Sequence, residues 1–324
     1  MEKNITPINQ LSWKDRLKSY KKHPGSFILL LLVGASAVIT VTVLVYLVGY
    51  ILIHGVPYLR PSLFSLTYNS DNVSMMPAII NTITMVLLAL LFSVPFGIGA
   101  AIYLVEYAKK GNKLVELVRI TAETLTGIPS IIYGLFGMLF FVTALHWGYS
   151  MLAGAATLAI MVLPVIMRTT EEALLCVPDM YREGSFGLGA GKLRTIFKIV
   201  LPTAIPGILS GIILAIGRIV GETAALIYTA GTVAEAAGVM DSGRTLAIHM
   251  YSLSREGLHT NEAYATAVVL LIVVLLINGL SSLIARKLEA AQSKTEKVSS
   301  RGNNMSEKFK ISNLDLYYGD FHAL

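Results

Sequence analysis

The sequence predicts an all-α membrane protein with six transmembrane helices and both termini in the cytoplasm. The first observation is composition: the 324 residues are 54% hydrophobic and 14% charged, whereas about 25% of the residues of a soluble domain are charged. The second is that the apolar residues fall into six runs that meet or approach the roughly 20 residues needed to cross a bilayer. The third is the distribution of Lys and Arg among the connecting segments.

Four of these runs lie in the first half of the chain. Ser26–Ile53 is long enough to cross with a tilt and too long for a signal peptide. Ala78–Val105 and Ile128–Trp147 are the second and third runs, and the fourth, Met151–Met167, is short but sufficient.

The fifth run, Ala204–Ile227, carries two charged residues, Arg218 and Glu222, and the sixth is Ala263–Ala285. Lys and Arg are frequent before the first run, between the second and third, between the fourth and fifth, and after the sixth. The other connecting segments hold few. Because basic residues accumulate on the cytoplasmic side, this bias predicts six spans with cytoplasmic termini.

Composition also limits the kinds of site. The single cysteine, Cys176, excludes a disulfide within the chain and a cysteine-cluster metal site, and the six histidines show no ligand-like spacing. We attribute the net charge of +6 to the cytoplasmic excess of Lys and Arg rather than to nucleic-acid binding. No metal and no cofactor is predicted in this chain.

The chain is expected to consist of four parts. A cytoplasmic segment, residues 1–25, precedes a six-helix domain over residues 26–290, which includes a cytoplasmic loop at 169–202. Residues 291–304, "AQSKTEKVSSRGNN", are polar and typical of a flexible linker. Residues 305–324 alternate like a strand and are predicted to be the start of another domain, cut short.

The cytoplasmic loop carries a motif at fixed spacing. Its members are Glu183, Gly184, Ser185, Gly189, Ile199, Leu201 and Pro202. This spacing resembles the EAA signature of bacterial ABC-importer permeases, which implies the MetI-like, type I permease fold and a coupling helix that docks in a groove of the ATPase subunit. Gly189 permits a tight turn, and Leu201–Pro202 is expected to stop one helix before the next. The alternative is an ordinary amphipathic helix lying on the membrane.

The loop also contains "GLGAGK", which is not a phosphate-binding loop. A Walker A motif needs a glycine where Phe186 stands and a Ser or Thr where Leu193 stands. The chain is therefore expected to be a transport subunit rather than an enzyme, with ATP and Mg used by a partner ATPase.

Four further stretches resemble the phosphate-transporter permeases of the PstA type. They are "ETLTGIPSIIYGLFG" (123–137), "MRTTEEAL" (167–174), "GRIVGETAAL" (217–226) and "TLAIHMYSLSREG" (245–257). The resemblance covers roughly residues 77–283. It implies a bacterial cytoplasmic-membrane complex: a heterodimer with a second phosphate permease subunit, two ATPase subunits, and an external phosphate-binding protein. The final "LDLYYGDFHAL" resembles the opening strand of the ATPase of the same transporter.

Arg218 and Glu222 are the predicted substrate residues. In a continuous fifth span they lie one turn apart on one face, and a charge facing lipid costs about 2.5 kcal/mol or more. We therefore expect both to face the bundle interior, where they can meet each other. The Arg218 guanidinium suits phosphate oxygens, Glu222 suits a protonated phosphate, and Thr223 adds a hydroxyl. The alternative is a purely structural ion pair.

Arg168, at the cytoplasmic end of the fourth span, is either an exit-side anion contact or only a basic residue of the cytoplasmic side. The function itself has alternatives. A permease for another oxyanion, sulfate or molybdate, is one, and an ion-coupled secondary transporter is another, although the two halves show no repeat. A membrane scaffold or sensor without transport is the third.

Overall fold

A computed structural model describes residues 24–109, 111–302, 317–318 and 321–322. The predicted N-terminal segment, 1–25, therefore lies almost wholly outside the described residues. So does most of the predicted ATPase-like fragment, 305–324, of which the structure describes two antiparallel dipeptides, β1 (Tyr317–Tyr318) and β2 (Phe321–His322).

The rest of the described chain is a helical bundle. In chain order its helices are α1 (Pro24–Gly55), α2 (Met76–Ile102), α3 (Lys113–Thr126), α4 (Ser130–Gly137), α5 (Met151–Leu175), α6 (Asp179–Gly187), α7 (Lys192–Thr195), α8 (Leu201–Val220), α9 (Ala224–Ile227), α10 (Leu246–Glu256) and α11 (Thr260–Gly302). Two 3-10 turns follow α1, at Val56–Tyr58 and Pro61–Phe64. π-Helical turns extend α2 (Tyr103–Tyr107) and α4 (Met138–Ala144), and a third (Ile196–Val200) joins α7 to α8.

The all-helical membrane fold is confirmed. Five helical stretches of the described chain are long and apolar enough to cross a membrane, and there are six if the pair α3–α4 counts as one crossing. That pair is bent by 103° between Thr126 and Ser130, whereas the predicted third span, 128–147, covers only the second helix of the pair. Pro129 explains the bend, because proline has no N–H and pushes the residue before it away from helical geometry.

The centre of the bundle is formed by α2, α5 and α8. α5 is the most enclosed span. Of the 18 residues in its most apolar stretch, 67% are buried, whereas none are buried in the corresponding stretch of α1. The helices approach closely at small residues: a side chain at Gly97 would collide with Ile166, and one at Gly211 with Thr169. Such glycine contacts replace hydrophobic collapse as the basis of helix packing in lipid.

Several helices extend beyond their apolar runs. α5 continues to Leu175 rather than ending at Met167, so the predicted cytoplasmic loop begins later than residue 169. Residues 291–302, predicted to be a linker, lie in α11. Hydropathy identifies only the part of a helix that suits lipid. The backbone hydrogen bonds of a helix do not need apolar side chains, so a helix can continue beyond its apolar run.

The fifth span differs at both ends from the predicted 204–227. The helix runs without interruption from Lys192 to Val220, so the predicted stop at Leu201–Pro202 is wrong. The π-helical turn just before Pro202 explains the continuity, since a changed hydrogen-bond register accommodates a residue without an N–H. Beyond Val220 the helix ends at Gly221, and Glu222 lies outside it.

Candidate functional site

The loop between α5 and α8 folds as a helix, a tight turn and a return helix. After α6 the chain reverses at Gly189, whose φ of +81° lies in the left-handed region that glycine tolerates best. Backbone bonds close the turn: the N–H of Gly189 donates to Phe186 O (2.9 Å), and that of Ala190 donates to Ser185 O (3.1 Å). The Ser185 and Thr195 hydroxyls, 2.8 Å apart and buried, tie α6 to α7.

The remaining residues of the predicted coupling motif take different positions. Glu183 and Gly184 are exposed on α6, whereas Ile199, Leu201 and Pro202 are half-buried on the return helix. Large apolar side chains also remain exposed on α6, the turn and the return helix: Met180, Tyr181, Phe186, Leu188, Leu193 and Phe197. Leu188 at the turn is 91% exposed. Several large apolar side chains exposed on one short segment are typical of a surface that contacts another protein.

Arg182 fastens α6 to two spans. Its Nε and Nη2 donate to Glu106 Oε1 (3.0 and 2.8 Å), and Nη2 and Nη1 donate to the carbonyls of Leu174 (2.9 Å) and Val177 (2.8 Å). The Arg182 and Glu106 side chains are only 14% and 8% exposed. The two members of this pair lie 76 residues apart in the sequence, so no local pattern reveals the contact.

Arg168 lies in a group of ion pairs between α3 and α5. It contacts Glu123 and Glu172, both at 3.3 Å, and Arg119 contacts Glu171 at 2.5 Å. Two guanidinium groups thus face three carboxylates. The Arg168 side chain is 51% exposed, and the Glu123 and Glu172 carboxylates contact its Nη1 and Nε.

Arg218 and Glu222 form no ion pair with each other within the described chain. Because the helix ends at Gly221, Glu222 does not continue the face that carries Arg218. Glu222, 9% exposed, instead accepts a hydrogen bond from the Ala225 N–H through Oε1 (3.0 Å) and so caps α9. Thr223 follows directly, half-buried, with its hydroxyl 3.5 Å from Gly221 O.

Arg218 occupies the last turn of α8, where the helix dipole favours a positive charge. Its side chain is half-buried and lies within electrostatic range of Tyr133 on α4. Among the described residues it has no hydrogen bond and no ion pair. A guanidinium with five donors free in a partly enclosed site is suited to an anion with several oxygens.

Gly134 and Gly137 bring α4 against this region. A side chain at Gly134 would collide with the Ala225 backbone, and one at Gly137 with Thr157 and Thr229. The segment after α8 is thus held tightly between α4 and α5. No group of three or more His, Cys, Asp or Glu that could hold a metal ion occurs among the residues the structure describes.

Comparison with known proteins gives the family. Residues 93–294 match the family described as "Binding-protein-dependent transport system inner membrane component". The chain is 34% identical over 282 residues to the probable ABC transporter permease protein YqgI of Bacillus subtilis, covering 79% of this chain and 95% of that protein. It is 40% identical over 154 residues to the phosphate transport system permease protein PstA 1 of Mycobacterium tuberculosis. The matched residues are 48% of this chain and 50% of that protein.

Solved structures give the same fold. A bacterial ABC transporter that imports alginate superimposes with a TM-score of 0.62 at 18% identity, covering 84% of this chain and 98% of that one. The MetNI methionine ABC transporter gives 0.52 at 22%, covering 66% and 94%. This likeness confirms the predicted MetI-like permease fold. Family match, relatives and fold agree: the chain belongs to the binding-protein-dependent transport system inner membrane components, the multi-pass permease subunits of ABC importers.

Proposed function

We propose that the chain is the transmembrane permease subunit of an ATP-driven importer of inorganic phosphate in a bacterial cytoplasmic membrane. The observation that carries this proposal is the 40% identity to a phosphate transport system permease protein PstA 1. A second such relative, PstA of Yersinia pestis, is 37% identical over 208 residues, and the match covers 69% of that protein. The unpaired Arg218 supports it independently, because a phosphate pathway needs an anion-binding group within the bundle.

The proposed complex contains a second, related permease, two ATPase subunits and an external phosphate-binding protein. ATP and Mg belong to the ATPase subunits. The exposed apolar side chains around α6 and Leu188 support docking on such a subunit. Arg182 supports transmission of its motion, because it ties α6 to the end of α2 at Glu106 and to the end of α5 at Leu174.

In the pathway, Arg218 binds phosphate oxygens through its planar donors. Glu222 uses Oε1 to cap α9, and its other carboxylate oxygen is the proposed acceptor for the hydroxyl of a protonated phosphate. Thr223 adds a hydroxyl beside it. Fully ionised sulfate lacks that hydroxyl, so Glu222 favours phosphate over sulfate.

The test is uptake by the complete complex in proteoliposomes, with the binding protein outside and ATP inside. We expect ATP-dependent accumulation of labelled phosphate that a tenfold excess of sulfate or molybdate leaves intact. Accumulation of sulfate or molybdate in place of phosphate would assign the importer to another oxyanion. Uptake driven by an ion gradient without ATP would make the chain part of a secondary transporter.

A further inference from the structure

Arg244 is, like Arg218, an arginine shielded from solvent that has no carboxylate partner among the described residues. It precedes α10, at the end of the fifth span opposite α6, on the side predicted to face outward. The residue is only 5% exposed, and its Nε and Nη2 are buried with no hydrogen-bond partner among the described residues. No described carboxylate lies within ion-pair distance of it. Its guanidinium lies over the ring of Tyr68, with Cζ 4.6 Å from the ring centroid.

Two neighbouring side chains share this condition. Thr245 and His249 are 2% and 0% exposed, and the Thr245 hydroxyl is buried without a hydrogen-bond partner in the described chain. The Val73 backbone lies near the His249 ring and acts to raise its pKa, but by strict hydrogen-bond geometry neither ring nitrogen has a partner among the described residues. The His249 ring lies edge-on to Tyr68, 6.2 Å between centroids. Because more than about 90% of buried polar groups are hydrogen-bonded, three adjacent unsatisfied side chains indicate that a ligand belongs there.

The backbone around this cluster is held firmly. The Asn81 side chain on α2 donates to the carbonyls of Glu235 (2.9 Å) and Arg244 (3.1 Å) and accepts from the Ala237 N–H (2.9 Å). The Arg244 N–H in turn donates to Val233 O (2.8 Å). The backbone from which the Arg244 side chain extends is therefore fixed by hydrogen bonds to α2 and to Val233.

The charge of the cluster selects the ligand. A buried guanidinium without a counter-charge carries a large desolvation cost, which a bound anion offsets. Burial, and then the neighbouring Arg244 charge, lower the pKa of His249 to about 3, so its ring is neutral and offers one donor and one acceptor. The cluster thus presents a positive fork, a hydroxyl and an imidazole, which together match a tetrahedral oxyanion that carries a hydroxyl.

We propose that Arg244, Thr245 and His249 form a second oxyanion site, on the outward side of the bundle, which receives the anion before it reaches Arg218. Only the identity of the anion as phosphate rests on the proposed function. Arg244 supplies the bidentate contact, Thr245 a hydroxyl, and neutral His249 accepts the P–OH hydrogen. Tyr68 covers the guanidinium in the described conformation, so the ion enters when the segment carrying Tyr68 lifts away.

The alternative is a purely packed role, in which Arg244 only stacks on Tyr68. Such a stack is a modest interaction, and it does not use the donors of Arg244 or the ring nitrogens of His249. The two readings predict different responses to added anion.

The experiment is thermal unfolding of the assembled permease–ATPase complex, without the binding protein, in sodium phosphate against sodium chloride of equal ionic strength. A ligand that binds only the folded state raises the melting temperature in proportion to its occupancy. We expect phosphate to stabilise the parent, and Arg244→Gln to need at least about tenfold more phosphate, since a bidentate contact to a charged group is lost. Arg255→Gln, on the exposed face of α10, should keep the response.

A parent-like response in Arg244→Gln would overturn the site, as would a parent complex that phosphate, sulfate and molybdate all leave unchanged. If Arg244→Gln does not assemble, Arg244→Lys keeps the charge without the fork and should also respond about tenfold more weakly; an unchanged response overturns the site. If sulfate raises the melting temperature, phosphate does not, and the rise depends on Arg244, the oxyanion site is supported and phosphate as the substrate is contradicted.

Discussion

At the scale of single residues, the half-buried and buried arginines of the described chain are of two kinds. Arg182 is surrounded by acceptors, with the Glu106 carboxylate and two backbone carbonyls within 3.0 Å. Arg218 and Arg244 have no such partner among the described residues. A guanidinium whose N–H donors are hydrogen-bonded to the protein stabilises the fold, whereas one with free donors can still bind a ligand.

The Arg182–Glu106 pair is expected to stabilise the folded complex. Glu106→Gln removes the buried counter-charge of Arg182 and leaves only the exposed Asp179, so we expect a loss of about 3 kcal/mol. Asp179→Asn is the matched control, since it removes the other carboxylate of Arg182, 85% exposed, and should change little. Thermal unfolding of the assembled complex measures both. Equal effects of the two substitutions would contradict a special role for the buried pair.

His249 is expected to make stability depend on pH. Its pKa is lowered to about 3 by burial and by Arg244, whereas an unfolded histidine titrates near 6.5. Between these values the unfolded state binds more protons, so stability falls as pH drops below about 6.5. At pH 5 the loss amounts to about 2 kcal/mol.

The comparison variant for this titration is His249→Gln, which cannot gain the proton. Melting temperatures of parent and variant between pH 7 and pH 5 should diverge, with the parent falling more steeply. Parallel curves would show that His249 is already protonated, or not buried, in the folded complex.

At the scale of elements, the sequence located the helices better than it located their ends. Six apolar runs correspond to five long helices and one bent pair, because about 20 apolar residues suit a bilayer whatever surrounds them. The ends depend on contacts that hydropathy does not contain: α5 continues through the ion pairs of Arg168, and α8 ends at Gly221. That last boundary separates Glu222 from the face of Arg218, so their predicted contact was wrong.

The turn at Gly189 was predicted correctly, because a left-handed residue is a local requirement that spacing and residue type reveal. Gly189→Val places a β-branched residue at φ +81°, which costs at least about 1–2 kcal/mol. We expect the turn to distort, and transport and binding-protein-stimulated ATPase activity to fall together while insertion persists.

Gly191→Val is the control for this substitution. Gly191 lies two residues later, at φ −72° and ψ 160°, an extended conformation that valine adopts readily, and nothing lies near its missing side chain. Assays of ATPase activity and uptake should give near-parent values for Gly191→Val. A fully active Gly189→Val complex would contradict the assignment of the turn.

For the whole molecule, the distribution of Lys and Arg predicts which side each segment faces. Cys176, the single cysteine, is exposed at the end of α5 and is therefore predicted to be cytoplasmic. A membrane-impermeant maleimide should label it in inside-out vesicles and not in intact cells. A Cys176→Ser chain carrying Ser254→Cys on the exposed face of α10 should give the reverse pattern. Labelling of Cys176 from outside would invert the topology.

The proposed passage of phosphate through this bundle depends most directly on Arg218. The measurement is ATP-dependent uptake of labelled phosphate by Arg218→Gln, divided by the amount of assembled complex. The control is Arg60→Gln, which removes an exposed arginine far from Arg218 in the sequence. We predict that Arg218→Gln assembles normally and that its uptake falls at least about tenfold, as expected when a bidentate contact to the anion is lost, while Arg60→Gln transports at the parent rate. Assembly with parent-rate uptake in Arg218→Gln would contradict the proposed pathway.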